Sequence, residues 1–396
     1  MLFRGVFFDL NSCRKIAGNL VFLSMDALSY WEHKHWLSNI DFAIIGSGIV
    51  GLNCALSLRE KHPKSTIVVF EKGILPHGAS TKNAGFTCFG SISEILSDIA
   101  QQGEQSVLNV VQRRYEGVQL LRKRLGDAQI GYQNHGGHEV FLKAHTTLYE
   151  TCLDKITTVN SFLEPVFKSN SFYTASNSFG FKGVKENYIS SAHEGQIDTG
   201  LMMKQLIHKV QSQGIHIFYG TEVTNFSSDK GSVHLKTNFF ECKAGALFIA
   251  TNGFSKTLQI EDVKPARAQV LITKPIKNLK IKGAFHLDMG YYYFRNIDQR
   301  ILLGGGRNLA FKEEETTDFS QTTVIQNTLD RLLKETILPG VSYEIDLRWS
   351  GIMGVGTGKE PILKCIQPNV YCGVRLGGMG LALGSKLGSE LADLHG

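Results

Sequence analysis

Three glycines near the start of the chain have the spacing of a phosphate-binding turn. Gly46, Gly48 and Gly51 form a G-x-G-x-x-G pattern. In such a turn the first glycine permits a tight bend, the second lets the backbone approach a pyrophosphate, and the third lets a helix pack closely on a strand. Glu71 follows about twenty residues later, where a carboxylate takes up ribose hydroxyls. These four residues predict a site for an adenine dinucleotide.

The elements predicted around these glycines match that chemistry. The apolar run 42–45 predicts a buried strand that ends at Gly46, and a helical pattern extends over 49–61. A second apolar run, 66–70, ends directly before Glu71. The order of strand, turn and helix places the free N–H groups and the positive end of the helix at the pyrophosphate. This arrangement fits FAD and NAD equally.

A second glycine turn lies close to the C-terminus. Residues 369–373 predict a strand, 377–380 a turn and 381–394 a helix. NAD needs one anion site, whereas a flavin gains from a second, because reduction places negative charge near N1 and O2 of its ring. A helix N-terminus at that point would stabilise the charge by roughly 1 kcal/mol. The second turn favours FAD, and an ordinary C-terminal helix is the alternative.

Two further stretches have compositions of interest. Small and hydroxylated residues fill 77–85, which fits either a loop against a cofactor or a plain surface turn. The apolar strand 246–250 ends at Thr251, Asn252 and Gly253. Open α/β sheets bind ligands at the carboxyl ends of their strands, so this second stretch favours a ligand site.

The composition is that of a globular protein of roughly two domains. The 396 residues carry 42 basic and 36 acidic side chains, a net charge of +6, without a dense basic block. This argues against nucleic acid as a partner. No apolar run reaches about 18 residues, so the sequence predicts no integral membrane segment. Seven scattered cysteines without a C-x-x-C pair are typical of free thiols, and we expect a cytoplasmic protein.

With its motifs in this order, the chain resembles the FAD-dependent oxidoreductases of the D-amino-acid oxidase superfamily, from about Asp41 to the C-terminus. The resemblance implies an α/β fold. A Rossmann-like, discontinuous FAD-binding domain of the GR2 type would be joined to a second, α+β substrate-binding domain built on an antiparallel sheet. The implied boundaries are 1–37 for an N-terminal leader or extension, 38–95, 190–262 and 345–396 for the FAD-binding domain, and 96–189 and 263–344 for the substrate-binding domain.

The resemblance also implies which residues contact FAD. The backbone of Val223 would meet the adenine, and the turn at 378–381 would lie on the flavin O2 side. The full set implied is Gly46, Ser47, Gly48, Ile49, Val50, Gly51, Glu71, Lys72, Ala79, Ser80, Thr81, Asn83, Ala84, Gly85, Val223, Thr251, Asn252, Gly253, Gly378, Met379, Gly380 and Leu381.

The substrate is defined less closely. The strand pair that begins at Tyr293 resembles that of γ-glutamylputrescine oxidoreductases. Met353 stands where glycine and D-amino-acid oxidases carry a carboxylate-binding arginine, and Ala382 where sarcosine oxidases carry a lysine. A buried carboxylate without a partner is costly. Either Arg295 or Arg375 supplies a new anchor, or the substrate is an amine without an α-carboxylate.

The implied reaction oxidises the C–N bond of a small-molecule amine or amino acid by hydride transfer to flavin N5, giving an imine that hydrolyses. Tyr293 and Arg295 share one face of a predicted strand. We expect them to act as the catalytic pair, an aromatic wall and a cation; a core strand with a snorkelling arginine is the alternative. Strand 301–304 lacks the lysine with which sarcosine oxidases promote reaction with oxygen. The sequence therefore does not determine whether the electron acceptor is oxygen, a quinone or another carrier.

Other functions remain compatible with the sequence. A D-amino-acid dehydrogenase or an enzyme like glycine or sarcosine oxidase would use the same elements. An NAD-dependent dehydrogenase would need only the first glycine turn. A flavin-binding subunit that serves a partner would bind FAD without catalysing a reaction.

Overall fold

The structure is a computed structural model that describes residues 28–229, 231–258 and 260–396, so most of the predicted leader lies outside it. The helices are α1 Tyr30–Glu32, α2 Ile49–Lys61, α3 Ile92–Gln102, α4 Glu104–Leu125, α5 Thr146–Phe167, α6 Thr199–Ser212, α7 Thr323–Leu332 and α8 Gly380–Asp393. The strands are β1 Ile40–Ile45, β2 Ile67–Phe70, β3 Phe86–Thr87, β4 Gly137–Val140, β5 Phe172–Ser176, β6 Asn187–Ser191, β7 Gly195–Gln196, β8 His216–Phe218, β9 Val223–Ser228, β10 Val233–Thr237, β11 Glu241–Ile249, β12 Lys264–Thr273, β13 Ala284–Leu287, β14 Tyr292–Ile297, β15 Arg300–Gly305, β16 Ile345–Val355, β17 Ile362–Gln367 and β18 Val370–Val374.

The first sheet has the strand order β17-β18-β11-β1-β2-β8, and β10 and β9 extend from β11. β1 pairs in parallel with both β2 and β11. Every residue of β1 except Asp41 is buried, as expected for a parallel strand with both faces covered. Phe42 and Ile44 face the cluster that contains α2 and α8, and Ala43 and Ile45 face the opposite cluster.

Helices α2 and α8 lie against each other with little space between them. A methyl group added at Gly384 would lie 2.7 Å from Cγ2 of Ile49. One added at Gly388 would lie 2.5 Å from the carbonyl oxygen of Val50. Both glycines therefore permit an approach of the two helices that larger residues would prevent.

The second sheet has the order β16-β12-β15-β14-β13-β4-β6-β5. Its pairs are antiparallel except for β13 with β4. Phe285 and Phe294 stack at 4.6 Å between ring centroids in the core between this sheet and α7. The predicted α/β fold with a Rossmann-like part and a second, mainly antiparallel sheet is confirmed.

The division into domains stays a prediction. β16, which begins at the predicted boundary at 345, pairs along its length with β12 of the second sheet. β6, which crosses the predicted boundary at 190, also belongs to the second sheet.

Two predicted elements differ in detail from the structure. The region 92–125, expected to be mostly helical, is divided into α3 and α4 at Gly103, whose φ of 81° a helix cannot accommodate. The C-terminal helix begins at Gly380, inside the expected turn. In the described residues, none of the helices is both long and apolar enough to cross a membrane.

Candidate active site

The first glycine turn joins β1 to α2 and depends on the absence of side chains. Gly46 has a φ of 103°, and an added methyl group would lie 2.8 Å from the carbonyl oxygen of Ala250. A methyl group at Gly51 would overlap the carbonyl oxygen of Gly46. One at Gly48 would lie 2.8 Å from Oγ of Ser80. The glycines keep strand, helix and the loop that carries Ser80 in close contact.

Glu71, directly after β2, is hydrogen-bonded to Ser47 in the first glycine turn. Its Oε2 accepts hydrogen bonds from the backbone N–H of Ser47 (3.0 Å) and from the Ser47 hydroxyl (2.8 Å). Its Oε1 accepts the N–H of Gly73 at 2.9 Å. The carboxylate lines the cavity beside the turn, so it holds the turn while it faces a ligand.

We expect Glu71→Gln to weaken FAD binding. The amide nitrogen would face N–H donors, and each unsatisfied buried donor costs about 1–3 kcal/mol. The dissociation constant of FAD, measured by fluorescence titration of the apoprotein, should rise roughly 10- to 100-fold. Glu222→Gln is the matched control, because Glu222 lines the same cavity with an exposed carboxylate. Equal affinities in the two variants would contradict this role of Glu71.

The second glycine turn leads into α8 at the same cavity. Gly377 has a φ of 57°, and Met379 is the N-cap residue of α8. Neither α8 nor α2 has a side-chain hydrogen bond from its own N-cap residue, although the Ile49 N–H at the start of α2 donates to Oγ of Ser80 at 2.9 Å. The other N–H groups of the two first turns are available to a ligand. A single cavity of about 380 Å³ is lined by residues of both turns. One elongated ligand with anionic groups at two points can therefore meet both helix ends.

Most of the residues predicted to contact a cofactor line this cavity. Those that do are Gly46, Gly48, Ile49, Val50, Glu71, Lys72, Ala79, Ser80, Asn83, Ala84, Gly85, Val223, Thr251, Asn252, Gly378, Met379, Gly380 and Leu381. Ser47, Gly51, Thr81 and Gly253 do not. Ser47 turns to Glu71, and Thr81 donates to the carbonyl of Pro76 at 2.8 Å. Their individual roles in cofactor binding stay predictions.

Of the two residues predicted to be catalytic, the structure places only Tyr293 in the cavity wall. Tyr293 lines the cavity, between His286 on β13 and Gly304 on β15. Arg295 is buried behind the wall, where a methyl group at Gly85 would lie 2.9 Å from its Nη2. Burial lowers the pKa of Arg295 to about 10. It is not among the residues that line the cavity, so its predicted role as a substrate anchor gains no support from its position.

Arg307 is a cationic residue of the cavity that the sequence analysis missed. Its guanidinium carbon lies 4.9 Å from the centroid of the Phe311 ring. Its Nε is buried without a hydrogen-bond partner among the described residues, and burial lowers its pKa. Arg375, the other expected anchor, is paired with Asp262 and donates to the carbonyl of Glu360. An arginine directly after the glycines that end β15 was the signal in the sequence.

A buried ion pair forms another part of the cavity wall. Nε2 of His286 lies 3.1 Å from Oε2 of Glu194. Burial alone would lower the pKa of His286, but the charge and hydrogen bond of Glu194, with Glu94 and Glu139 nearby, raise it to about 9. The carboxylate therefore favours the protonated imidazole. Sequence reasoning had no signal for this pair, because its members are 92 residues apart.

The comparison with protein families decides the assignment. The family model described as DAO, FAD dependent oxidoreductase, matches residues 41–394. The chain belongs to this family. As an FAD-dependent oxidoreductase, it is similar to the probable oxidoreductase OrdL of Haemophilus influenzae, with 20% identity over 90% of this chain and 83% of that protein. The OrdL protein of Rhizobium meliloti is 22% identical over 89% and 82%.

Solved structures share the fold of this FAD-dependent oxidoreductase. The L-proline dehydrogenase from P. horikoshii has a TM-score of 0.71 and 18% identity, over 90% of this chain and 93% of that one. Iminodiacetate oxidase from Chelativorans sp. BNC1 has a TM-score of 0.72 and 17% identity, over 89% and 95%. Glycine oxidase from Geobacillus kaustophilus has a TM-score of 0.67 and 19% identity, over 89% and 94%.

The cavity fits FAD on its own geometry. The pyrophosphate of FAD and its flavin ring, which gains negative charge on reduction, are two anionic points in one long molecule. The cavity offers the N-termini of α2 and α8 and, at Gly46 and Gly48, backbone where a Cβ would clash with Ala250 and Ser80. The expectation that the second glycine turn favours a flavin over NAD is confirmed by the family.

Proposed function

We propose that this FAD-dependent oxidoreductase oxidises the C–N bond of an amine or amino acid that carries a carboxylate, releasing an imine that hydrolyses. Bound FAD supplies the hydride acceptor at N5. The observation that carries the proposal is Arg307, a cation in the cavity wall whose Nε has no partner among the described residues. A partly buried guanidinium can gain from a carboxylate that pairs with it in a bidentate manner.

Side chains of the second sheet would orient such a substrate. Tyr293 presents its ring to the cavity from the strand next to β15, and Phe86 packs edge-on to it at 5.7 Å between centroids. These rings would exclude water from one side of the reacting carbon, while Arg307 fixes the far end. Two-point binding of this kind limits the orientations of the C–H bond that reacts.

The similar proteins support this reaction class. The names of the solved structures above describe enzymes that oxidise proline, glycine and iminodiacetate, each of which carries both a C–N bond and a carboxylate. Met353, at the position where the resemblance places the carboxylate-binding arginine of glycine oxidases, lines the cavity and offers no charge. Arg307 would take over that role from a different strand end.

Anaerobic reduction of the bound flavin tests the proposal. The holoenzyme is mixed with glycine, sarcosine, D-amino acids, proline, iminodiacetate and polyamine derivatives, each beside an analogue without the carboxylate. We expect loss of the visible flavin absorbance with at least one carboxylate-bearing amine and not with its analogue. Reduction only by analogues without a carboxylate would contradict the proposal that Arg307 binds a substrate carboxylate. No reduction by any amine would favour a flavin-binding subunit without catalysis.

The electron acceptor is read from the same samples. Leu302 and Leu303 occupy the strand where sarcosine oxidases carry an oxygen-activating lysine. Air is admitted to one reduced sample, and a water-soluble quinone is added to another. Rapid return of the oxidised spectrum in air indicates an oxidase, and return with the quinone alone indicates a dehydrogenase.

A cytoplasmic location remains part of the proposal, on the basis of the free cysteines.

A further inference from the structure

Three buried side chains of different chemistry meet in the wall of the cavity. The ligand atoms of Cys88, Glu194 and His286 all lie within 4.8 Å of one another. Each residue is at most 6% exposed, and Cys88 and His286 line the cavity. The three residues come from different parts of the chain, so the fold brings them together. The proposed oxidation uses none of them.

We propose that Cys88, Glu194 and His286 bind a thiophilic divalent cation of the zinc class, with an open coordination position facing the cavity. Zn²⁺ takes one sulfur, one nitrogen and one oxygen at about 2.0–2.3 Å, which places ligand atoms about 3.3–3.8 Å apart. The observed 3.1 Å between Nε2 of His286 and Oε2 of Glu194 is close to that spacing. Small side-chain shifts therefore complete the site.

The charge of the cluster suits a divalent cation. The cation would replace two protons, the one between His286 and Glu194 and the one on the Cys88 thiol. Two protons leave, which removes two positive charges, and the divalent cation adds two. The net charge of the buried cluster therefore does not change. The carboxylate of Glu94, which also lines the cavity, adds a further favourable charge. Burying a cation here avoids the usual cost of an unpaired charge.

The surroundings hold the ligands in place and favour a soft metal. Oε1 of Glu194 accepts the backbone N–H groups of Phe89 (3.1 Å) and Gly90 (3.4 Å), which fixes the carboxylate as outer-shell partners do in metal sites. Sδ of Met379 lies 3.4 Å from Sγ of Cys88. The thiolate ligand from Cys88 selects Zn²⁺ or Cd²⁺ against Mg²⁺ and Ca²⁺.

A bound cation would occupy space that the proposed substrate needs, because His286 lies next to Tyr293 in the sheet register. Zn²⁺ should then compete with the amine. This consequence depends on the proposed function, whereas metal binding does not. If no amine reduces the flavin but Zn²⁺ still binds at the three residues, the proposed function fails and the metal site stands.

Metal titration of the holoenzyme tests the site. We expect one Zn²⁺ per chain by equilibrium dialysis, no retention of Mg²⁺, and an ultraviolet thiolate-to-metal absorption band with Cd²⁺. Cys88→Ser and His286→Gln should each weaken Zn²⁺ binding at least about 10-fold, in line with the loss of a ligand. Cys88→Ser should also abolish the Cd²⁺ band.

Cys152→Ser is the matched control, because Cys152 is buried in a separate apolar cluster outside the cavity. It should bind Zn²⁺ like the unmodified protein. Retained flavin absorbance shows that each variant is folded. The proposal is overturned if the holoenzyme binds no Zn²⁺, or if Cys88→Ser and His286→Gln bind it as tightly as Cys152→Ser does. A variant that loses flavin is replaced by Glu194→Gln, which keeps the size of the side chain.

Discussion

Arg307→Met should reduce kcat/KM for a carboxylate-bearing amine by roughly 10- to 140-fold. A hydrogen bond to a charged group contributes about 1.5–3 kcal/mol, and each 1.4 kcal/mol is a factor of ten. The guanidinium stacks on Phe311 and lines the cavity, so its loss leaves a substrate carboxylate without a partner. Steady-state kinetics with the amine found by the reduction screen provide the measurement.

The distribution of the effect between KM and kcat identifies what Arg307 does. A rise in KM at constant kcat indicates equal binding of substrate and transition state, and a fall in kcat indicates that the anchor also orients the reacting carbon. Arg300→Met is the control, because Arg300 begins the same strand but contacts Asp346 and the carbonyl of Thr273. If both variants keep the kinetics of the unmodified enzyme, Arg307 is not the anchor.

Gly51→Ala should destabilise the protein by about 3 kcal/mol or more and remove bound FAD, even though Gly51 does not line the cavity. The added methyl group would overlap the carbonyl oxygen of Gly46, and neither backbone segment can move without separating α2 from β1. The phosphate-binding turn would then lose its geometry. Flavin content after purification and the thermal unfolding midpoint are the two measurements.

Gly358→Ala is the control for the glycine substitution. A methyl group at Gly358 meets nothing closer than Nη2 of Arg375, at 3.8 Å. This variant should keep its flavin and its unfolding midpoint. Full flavin content in Gly51→Ala would show that the strand and helix can separate without harm to the site.

The two glycine turns that line the cavity were predictable from the sequence, because such turns are specified by backbone and by local spacing. Gly46, Gly48 and Gly51 act within six residues of one another, and Glu71 follows on the next strand. The C-terminal turn at 377–380 is equally local. A glycine pattern specifies such a turn without any knowledge of what packs on it.

The substrate end was not predictable in the same way, since it depends on pairs that only the fold brings together. Alternation along β14 placed Tyr293 and Arg295 on one face correctly, but a face of a strand does not show where a cavity ends. Gly85 and its loop cover Arg295. The contact of His286, on β13, with Glu194, in the loop between β6 and β7, joins two distant stretches of the chain, and nothing local in either stretch indicates it.

The close contact between α2 and α8 determines more than stability. Gly384 and Gly388 bring the two helices together, and each helix begins at the cavity. The separation of those two helix ends is thus fixed by a glycine interface that lies directly behind Ile49 and Val50 of the cavity wall. A larger residue at that interface would change the separation of the two helix ends without itself entering the cavity.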